Sequence, residues 1–276
     1  MVSVMTRKIF SRFGLTKDPF TKEVPVEELF EHPGTESAST RLVAALEGRT
    51  SAVVTGDPGT GKTFLFRALE GKLPAGRFRI TYLHNATLNL RDFYRQLAAA
   101  IGLEPRATAE AVFRMIGAQI EESADAQKVQ TVIVLDEAHL LPLGVLGHLH
   151  ILLNFQRDSR PLLSLVLIGL TELRERLTRN VLASLTARLP VRVHLGPLDA
   201  EQTGNYLRHR LRLAGCTQEV FSQESILLIA EATGGVLRKI GILAGHALEV
   251  ASEGKSKLID AATIEEAVKR CREALA

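Results

Sequence analysis

The residues with the clearest chemical potential are Gly56, Asp57, Pro58, Gly59, Thr60, Gly61, Lys62 and Thr63, which satisfy the spacing G-x-x-x-x-G-K-[ST] in full. Glycines at those positions let the backbone curl until successive amide N–H groups point at phosphate oxygens, and the helix that follows would add its positive end. In such a cradle Lys62 reaches the β- and γ-phosphates of a nucleoside triphosphate, and the Thr63 hydroxyl is placed to ligate Mg²⁺. A second constellation is the run Val132–Leu135 followed by Asp136, Glu137, Ala138 and His139. Two carboxylates directly after a wholly apolar strand are costly unless charge is needed there. Asp136 is the expected second metal ligand, and Glu137 the base that orients and polarises the attacking water. Acidic capping of a helix starting at Ala138 is the competing explanation, and it weakens beside the glycine-rich loop. His139 is read as a surface or capping histidine in preference to a γ-phosphate sensor or a contact to a neighbour. ATP and Mg²⁺ are the expected cofactors.

These residues need a scaffold that brings two loops together. SAVVTGDPGTGKTFLFRALEG reads as strand, loop and helix, with Phe64, Leu65, Ala68 and Leu69 on one side of the helix. FRITYLH reads as a second strand and LNLRDFYRQLAAAIGL as its following helix. A helix over 108–122 and a polar connection over 123–128 lead into TVIVLDEAHL, whose unbroken branched run suggests a strand covered on both faces. A helix at 143–156, the strand LSLVLIG, helical stretches over 171–187 and the short strand PVRVHL follow. Five strands separated by helices predict an α/β fold, a mostly parallel five-stranded sheet with helices on both faces. After Pro197 the pattern becomes purely helical, with helices expected at 199–214, 223–232, 236–253 and 263–274. The expected domains are an irregular N-terminal arm at 1–34, broken by Pro19, Pro25 and Pro33, a nucleotide-binding core at 35–197, and a helical domain at 198–276.

With 276 residues, 46% of them hydrophobic and 24% charged, the chain has enough apolar content for a packed core and too much for wholesale disorder. No stretch approaches the roughly 18 apolar residues of a transmembrane helix, and MVSVMTRKIFSRFG lacks the features of a signal peptide. A cytoplasmic location without membrane insertion is the expectation. Cys216 and Cys271 have no zinc spacing around them and read as semi-buried thiols. A net charge of +3 permits an anionic partner, and eight arginines against four acids between Glu172 and Arg212 concentrate that bias. Such arginines suit either phosphate or a solvated helix surface.

On these motifs the chain resembles AAA+ ATPases of the P-loop type, and more narrowly the general secretion pathway ATPase A family, also called ExeA-like. The matching features include FGLTKDPF with LFEHP, GDPGTGKT, YLHNATLNLRDFYRQLAAAIGL, VIVLDEAHLL, LVLIGLTELRERL and LGPLDAEQTGNYLRHRLRLAG, covering about residues 9 to 271. The FG-x-x-x-x-PF opening and the YLRHRL-x-x-AG segment are the specific part. The resemblance implies that the helical domain is a lid and that Thr171 lies at the tip of the sensor-1 strand. It also implies that Asn85 restrains the catalytic glutamate and that Arg238 is the sensor-2 arginine. Arg188 best matches the arginine finger given to a neighbouring subunit, with Arg174, Arg176 and Arg179 as competitors. Leu29, Phe30 and His32 are expected on the adenine side.

Two functions follow from the resemblance. Secretion and pilus-assembly members carry a membrane-spanning segment and a periplasmic extension beyond the core, and this sequence, ending at Ala276, is expected to lack both. The preferred expectation is therefore the transposon-associated branch: a helper ATPase that forms a homo-oligomeric ring or filament on double-stranded DNA and recruits or regulates a transposase, with hydrolysis driving disassembly. DNA contact would be to the backbone with low sequence specificity, through candidates Lys72, Arg77, Arg91, Arg95, Lys128 and Arg157. The alternatives are a secretion-type or other protein-remodelling ATPase and a slow nucleotide-gated scaffold.

Overall fold

The computed structural model describes residues 4–84, 88–104, 108–254 and 257–275. Along the chain run α1 (Val4–Phe13), α2 (Pro33–Glu47), β1 (Ala52–Gly56), α3 (Lys62–Lys72), β2 (Phe78–Leu83), α4 (Leu90–Ala100), α5 (Ala109–Asp125), β3 (Gln130–Leu135), α6 (Leu143–Leu152), β4 (Leu163–Gly169), α7 (Glu172–Leu177), α8 (Ala183–Ala187) and β5 (Val191–Leu195). There follow α9 (Ala200–Leu213), α10 (Gln223–Thr233), α11 (Leu237–Glu253), α12 (Ala261–Arg270) and α13 (Arg272–Leu275). The chain divides into two compact units: Pro33–Asp57 with Lys62–Leu195, and Met1–His32 with Pro58–Gly61 and Gly196–Ala276.

The first unit is built on a five-stranded sheet in the order β2-β3-β4-β1-β5, with every pairing parallel. Its inner strands are apolar on both faces because each face has its own core. Ile133 and Leu135 of β3, Leu163, Leu165 and Leu167 of β4, and Val53 of β1 join one cluster with residues of α4, α5 and α6. The alternate residues Val132, Val134, Val166, Ile168, Ala52 and Val54 join the other, with residues of α2 and α3. This is the two-residue side-chain period of a strand, invisible to hydropathy because both sides are buried. Burying each large aliphatic side chain stabilises the fold by about 1.5–3 kcal/mol. A charged residue is tolerated only where a strand ends.

The helical stretches expected over 171–187 are α7, a 3₁₀ turn at Asn180–Leu182 and α8. Side-chain hydroxyls compete with the helix ladder there: Thr178 Oγ1 donates to Glu175 O at 2.7 Å and Thr186 Oγ1 to Leu177 O at 2.7 Å. The bend lets Leu182, Leu185 and Leu189 all reach the core. Likewise the helix expected to run to 156 stops at Leu152, ahead of three successive left-handed residues, Gln156, Arg157 and Asp158, at φ 47°, 58° and 67°.

The second unit has its own core, formed by α9 to α12 with Phe13, Leu15 and Cys216 among its buried members. The irregular arm expected over 1–34 is corrected at its start, where Val4–Phe13 is helical. Its apolar Ile9, Phe10 and Phe13 recur at one-turn spacing and pack against the helical core. The rest of the arm is fastened by polar groups of α9. Arg210, 6% exposed, donates from Nε to Pro19 O at 2.5 Å and from Nη2 to Thr21 O at 2.6 Å. His209 Nε2 lies 2.9 Å from Glu28 O. Helix starts are capped by Asp199, Ser222 and Asp260, the first as a full capping box with Gln202.

Replacing Arg210 with alanine removes two charge-assisted bonds and strands two carbonyls. We expect the unfolding free energy to fall by about 2–4 kcal/mol, read as a lower denaturant midpoint, with the first 30 or so residues becoming protease-sensitive at Pro19–Thr21 before the rest of the chain.

Candidate nucleotide site

Parallel pairing fixes which strand ends meet. Thr55 of β1 is in register with Gly169 of β4, Leu167 of β4 with Leu135 of β3, and Leu135 with Leu83 of β2. The glycine-rich loop, the turn 170–171, the acidic pair and His84 thus leave the same edge of the sheet, where ligands of open α/β sheets bind.

Within the sheet unit, Lys62 opens α3 and is 7% exposed. Its Nζ donates to Gly56 O at 2.8 Å and Asp57 O at 3.0 Å. Burial lowers its pKa from the ordinary lysine value, opposed by the charges of Glu137, Asp136 and Asp57. Thr63 is exposed on the first turn of the same helix and Phe64 is half-buried beside it. The loop tip Pro58–Gly61 belongs to the helical unit. There Gly59 and Gly61 adopt φ +81° and +97°, which only glycine takes without strain. A Cβ on Gly59 would lie 2.7 Å from the Arg238 Cβ, and one on Gly61 would lie 3.1 Å from Leu237 Cδ1. Arg238 N donates to Gly59 O at 3.2 Å, so the exposed Arg238 side chain starts at the loop tip. Thr60 is buried.

Asp136 is 4% exposed, and its amide continues the β2 ladder by donating to Leu83 O at 2.8 Å. Its Oδ1 accepts from Glu137 N at 2.8 Å and its Oδ2 accepts from the Tyr82 hydroxyl. His84 Nδ1 stands 3.6 Å from the same Oδ2. Tyr82 stacks on Phe66 of α3 with ring centroids 5.5 Å apart. Burial, reinforced by the bond to Asp136, pushes its phenol well above the ordinary tyrosine range. Glu137 sits in the left-handed region at φ 54°, ψ 33°, and its carboxylate is 35% exposed. His139, expected at the surface or as a cap, is instead 9% exposed beneath this turn, with Nε2 3.7 Å from Glu137 Oε2. It is buried because the turn folds back onto β4, where Leu170 N donates to its Nδ1 at 3.4 Å.

Thr171 Oγ1 donates to Asp57 Oδ1 at 2.8 Å, joining the turn after β4 to the glycine-rich loop. Arg176 is held within the subunit, donating to His139 O and, at 2.6 Å, to Leu141 O. Arg174 and Arg179 are exposed. Arg188 is half-buried, ion-paired with Asp158 and donating to Ser184 O at 3.2 Å. Asn85 lies outside the described residues. In the helical unit the half-buried Phe30 ring packs at 5.4 Å from Tyr206 and 5.5 Å from His209, with Leu29 half-buried beside it and His32 stacked at 6.0 Å. Lys72, Arg77, Arg91, Lys128 and Arg157 are exposed and Arg95 is half-buried.

Sequence reasoning missed Tyr82 and His84 as neighbours of Asp136, and Arg176 as the group that holds the turn after the acidic pair. Only the strand register and the fold of the turn bring them there.

Among the described residues no cluster of three or more His, Cys, Asp or Glu is placed to hold a metal. A hydroxyl on α3 and a buried carboxylate are hard oxygen donors, few in number, and suit Mg²⁺, which takes its remaining ligands from phosphate and water. Gly59 and Gly61, both at positive φ, curl the loop backbone as a phosphate cradle requires.

The comparisons agree with this architecture. An AAA domain family matches residues 45–177. General secretion pathway protein A of Aeromonas hydrophila is 32% identical over 251 residues, 90% of this chain and 46% of that protein, so the chain spans about half the length of this curated relative. Among solved structures, Cdc6p of Pyrobaculum aerophilum superposes with a TM-score of 0.70 at 18% identity, covering 93% of this chain and 71% of that one. The ORC1 protein of Aeropyrum pernix, solved in complex with DNA, gives 0.66 at 20% identity, covering 93% and 69%. RuvB of Thermotoga maritima, a Holliday junction branch migration motor, gives 0.61 at 16% identity, covering 92% and 73%. No helix of the described residues is long and apolar enough to cross a membrane. A parallel five-stranded sheet in this order, an acidic pair leaving the same sheet edge as the glycine-rich loop, and a helical C-terminal region make this a P-loop NTPase fold that matches AAA+ architecture.

Proposed function

We propose that the chain hydrolyses ATP to ADP and phosphate with Mg²⁺. The observation that carries this is a buried Asp136 followed by a half-exposed Glu137 at the end of β3, which pairs through β4 with β1, the strand that feeds the glycine-rich loop. Gly56 to Thr63 cradle the phosphates, and Lys62 offsets charge on the β- and γ-phosphates. Thr63 and Asp136 would hold Mg²⁺, which would neutralise phosphate charge when bound. Glu137 accepts a proton from water as the water oxygen bonds to the γ-phosphorus, while the bond from that phosphorus to the β,γ-bridging oxygen breaks. Thr171 and Arg238 report on the γ-phosphate, and Leu29 and Phe30 take the adenine side.

The chain works as a homo-oligomer in which Arg188 exchanges Asp158 for the γ-phosphate of a neighbouring subunit. Of the clients weighed, a protein-directed assembly of the secretion type is favoured, because the similarity to General secretion pathway protein A runs through nine tenths of the chain. A DNA-directed role, with the transposition helper as its specific form, is the second reading. The shared fold with an ORC1 protein solved on DNA and the exposed Lys72, Arg77, Arg91, Lys128 and Arg157 support it.

Glu137→Gln should retain ATP binding while turnover falls about 10²- to 10⁴-fold; unchanged turnover would reject Glu137 as base. Arg188→Ala alone should hydrolyse slowly, and mixing it with Glu137→Gln subunits should restore activity, since the latter donate an intact finger. If no mixing ratio recovers turnover, Arg188 does not act in trans. Titration of a labelled non-specific duplex with ATP, with ADP and without nucleotide, at two salt concentrations, separates the clients. Absence of binding in all conditions is the expected result, whereas salt-sensitive, ATP-dependent binding would favour the DNA-directed reading.

A further inference from the structure

Glu137 is the residue on which the proposed hydrolysis turns, yet its backbone occupies the left-handed region that side-chain-bearing residues disfavour. The group facing its carboxylate is the imidazole of His139, with Nε2 3.7 Å from Oε2 and a side chain only 6% exposed. The ring is keyed from its other side. Leu170 N donates to Nδ1 at 3.4 Å, which makes Nδ1 the acceptor and leaves the hydrogen of the neutral ring on Nε2, the nitrogen turned toward Glu137. A movement of about half an ångström brings that N–H within hydrogen-bond range of the carboxylate. The backbone on both sides is fixed. Arg176 holds the carbonyls of His139 and Leu141, and a Cβ at Gly169 would stand 3.2 Å from His139 N. Leu170 adjoins Thr171, whose hydroxyl is bonded to Asp57 of the glycine-rich loop.

We propose that His139 is a positioning residue for Glu137: its Nε2–H aims the carboxylate, and its Nδ1 ties that aim to the turn Gly169–Thr171. No proton is transferred in this role. A change at the glycine-rich loop that moves Thr171 also moves the amide that orients the imidazole, so the state of the loop reaches the base through one ring. The inference rests on the reading of Glu137 as base.

The test compares His139→Ala, His139→Gln and Glu137→Gln in the full chain by ATP turnover, KM, nucleotide binding and thermal midpoint. His139→Ala should lower kcat on the order of ten- to a hundredfold, the cost of a misplaced catalytic group, with KM and nucleotide affinity little changed. His139→Gln, whose amide N–H can reach the carboxylate, should recover much of the lost kcat. Wild-type kcat in His139→Ala overturns the proposal, as does a loss that follows the thermal midpoint and is not relieved by glutamine. If Glu137→Gln abolishes turnover while His139→Ala is unaffected, only the role of His139 fails; if Glu137→Gln itself turns over normally, the base reading fails and takes this inference with it.

Discussion

The backbone pairing of three buried parallel strands is the constraint on which the rest of this structure depends. In β1, β3 and β4 every side chain is buried, and the main-chain groups are satisfied by ladders on both sides. Such strands cannot slip by a residue without stranding hydrogen bonds and exchanging the members of two separate cores. Their ends are therefore fixed relative to one another, and so are Gly56, Asp136 and Thr171. The price is a carboxylate at the edge of a dry interior. Asp136 is offset by the amide of Glu137, the hydroxyl of Tyr82 and the nearby charge of Lys62.

Much of this was legible in the sequence, for stated reasons. The five strands and their intervening helices follow from apolar runs and turn residues, and the parallel arrangement from their alternation. The glycine-rich loop is legible because its glycines are needed: Gly59 and Gly61 both have positive φ, and a Cβ at Gly59 would collide with Arg238 Cβ at 2.7 Å. What escaped depends on tertiary folding. Where the helical stretches within 171–187 divide depends on hydroxyl-to-carbonyl bonds that no periodicity reveals. The burial of His139 needs the turn after β3 to fold onto β4, and a histidine two residues beyond a carboxylate looks the same in sequence whether it is exposed or enclosed. Helix α1 was hidden among prolines that follow it, although Ile9, Phe10 and Phe13 already had helical spacing.

The two sequence segments that make the resemblance specific turn out to be one structural feature. FGLTKDPF and YLRHRLRLAG lie about 190 residues apart, with Arg210 separated by 191 residues from the Pro19 carbonyl it binds. Thr16 donates through both its amide, at 2.7 Å, and its hydroxyl, at 3.0 Å, to Ala214 O. Gly215 is at φ +96°, which favours glycine, and a Cβ there would stand 3.2 Å from Thr16 Cγ2 and 3.3 Å from Gly14 O. Substituting one segment without the other would strand donors or carbonyls inside the helical unit, which is a physical reason for the two to be found together.

Three enclosed cations show how the chain separates structure from chemistry. Arg210 and Arg176 spend their guanidinium donors on main-chain carbonyls, which fixes a segment of backbone without committing an acidic side chain. Lys62 likewise donates to the carbonyls of Gly56 and Asp57, while the carboxylates of Asp57, Asp136 and Glu137 act on it from a distance. A carbonyl satisfies a donor but does not neutralise its charge. An ammonium bonded in this way keeps most of its field for an incoming polyanion, and the exchange of two neutral acceptors for phosphate oxygens replaces weaker hydrogen bonds with charge-assisted ones. Had Lys62 been locked in a direct ion pair with Asp136, nucleotide entry would first have to break that pair and leave a buried carboxylate uncompensated, at a cost of about 3–5 kcal/mol. The placement of Lys62 on carbonyls, with the acids held off by Tyr82, Thr171 and the Glu137 amide, removes that barrier.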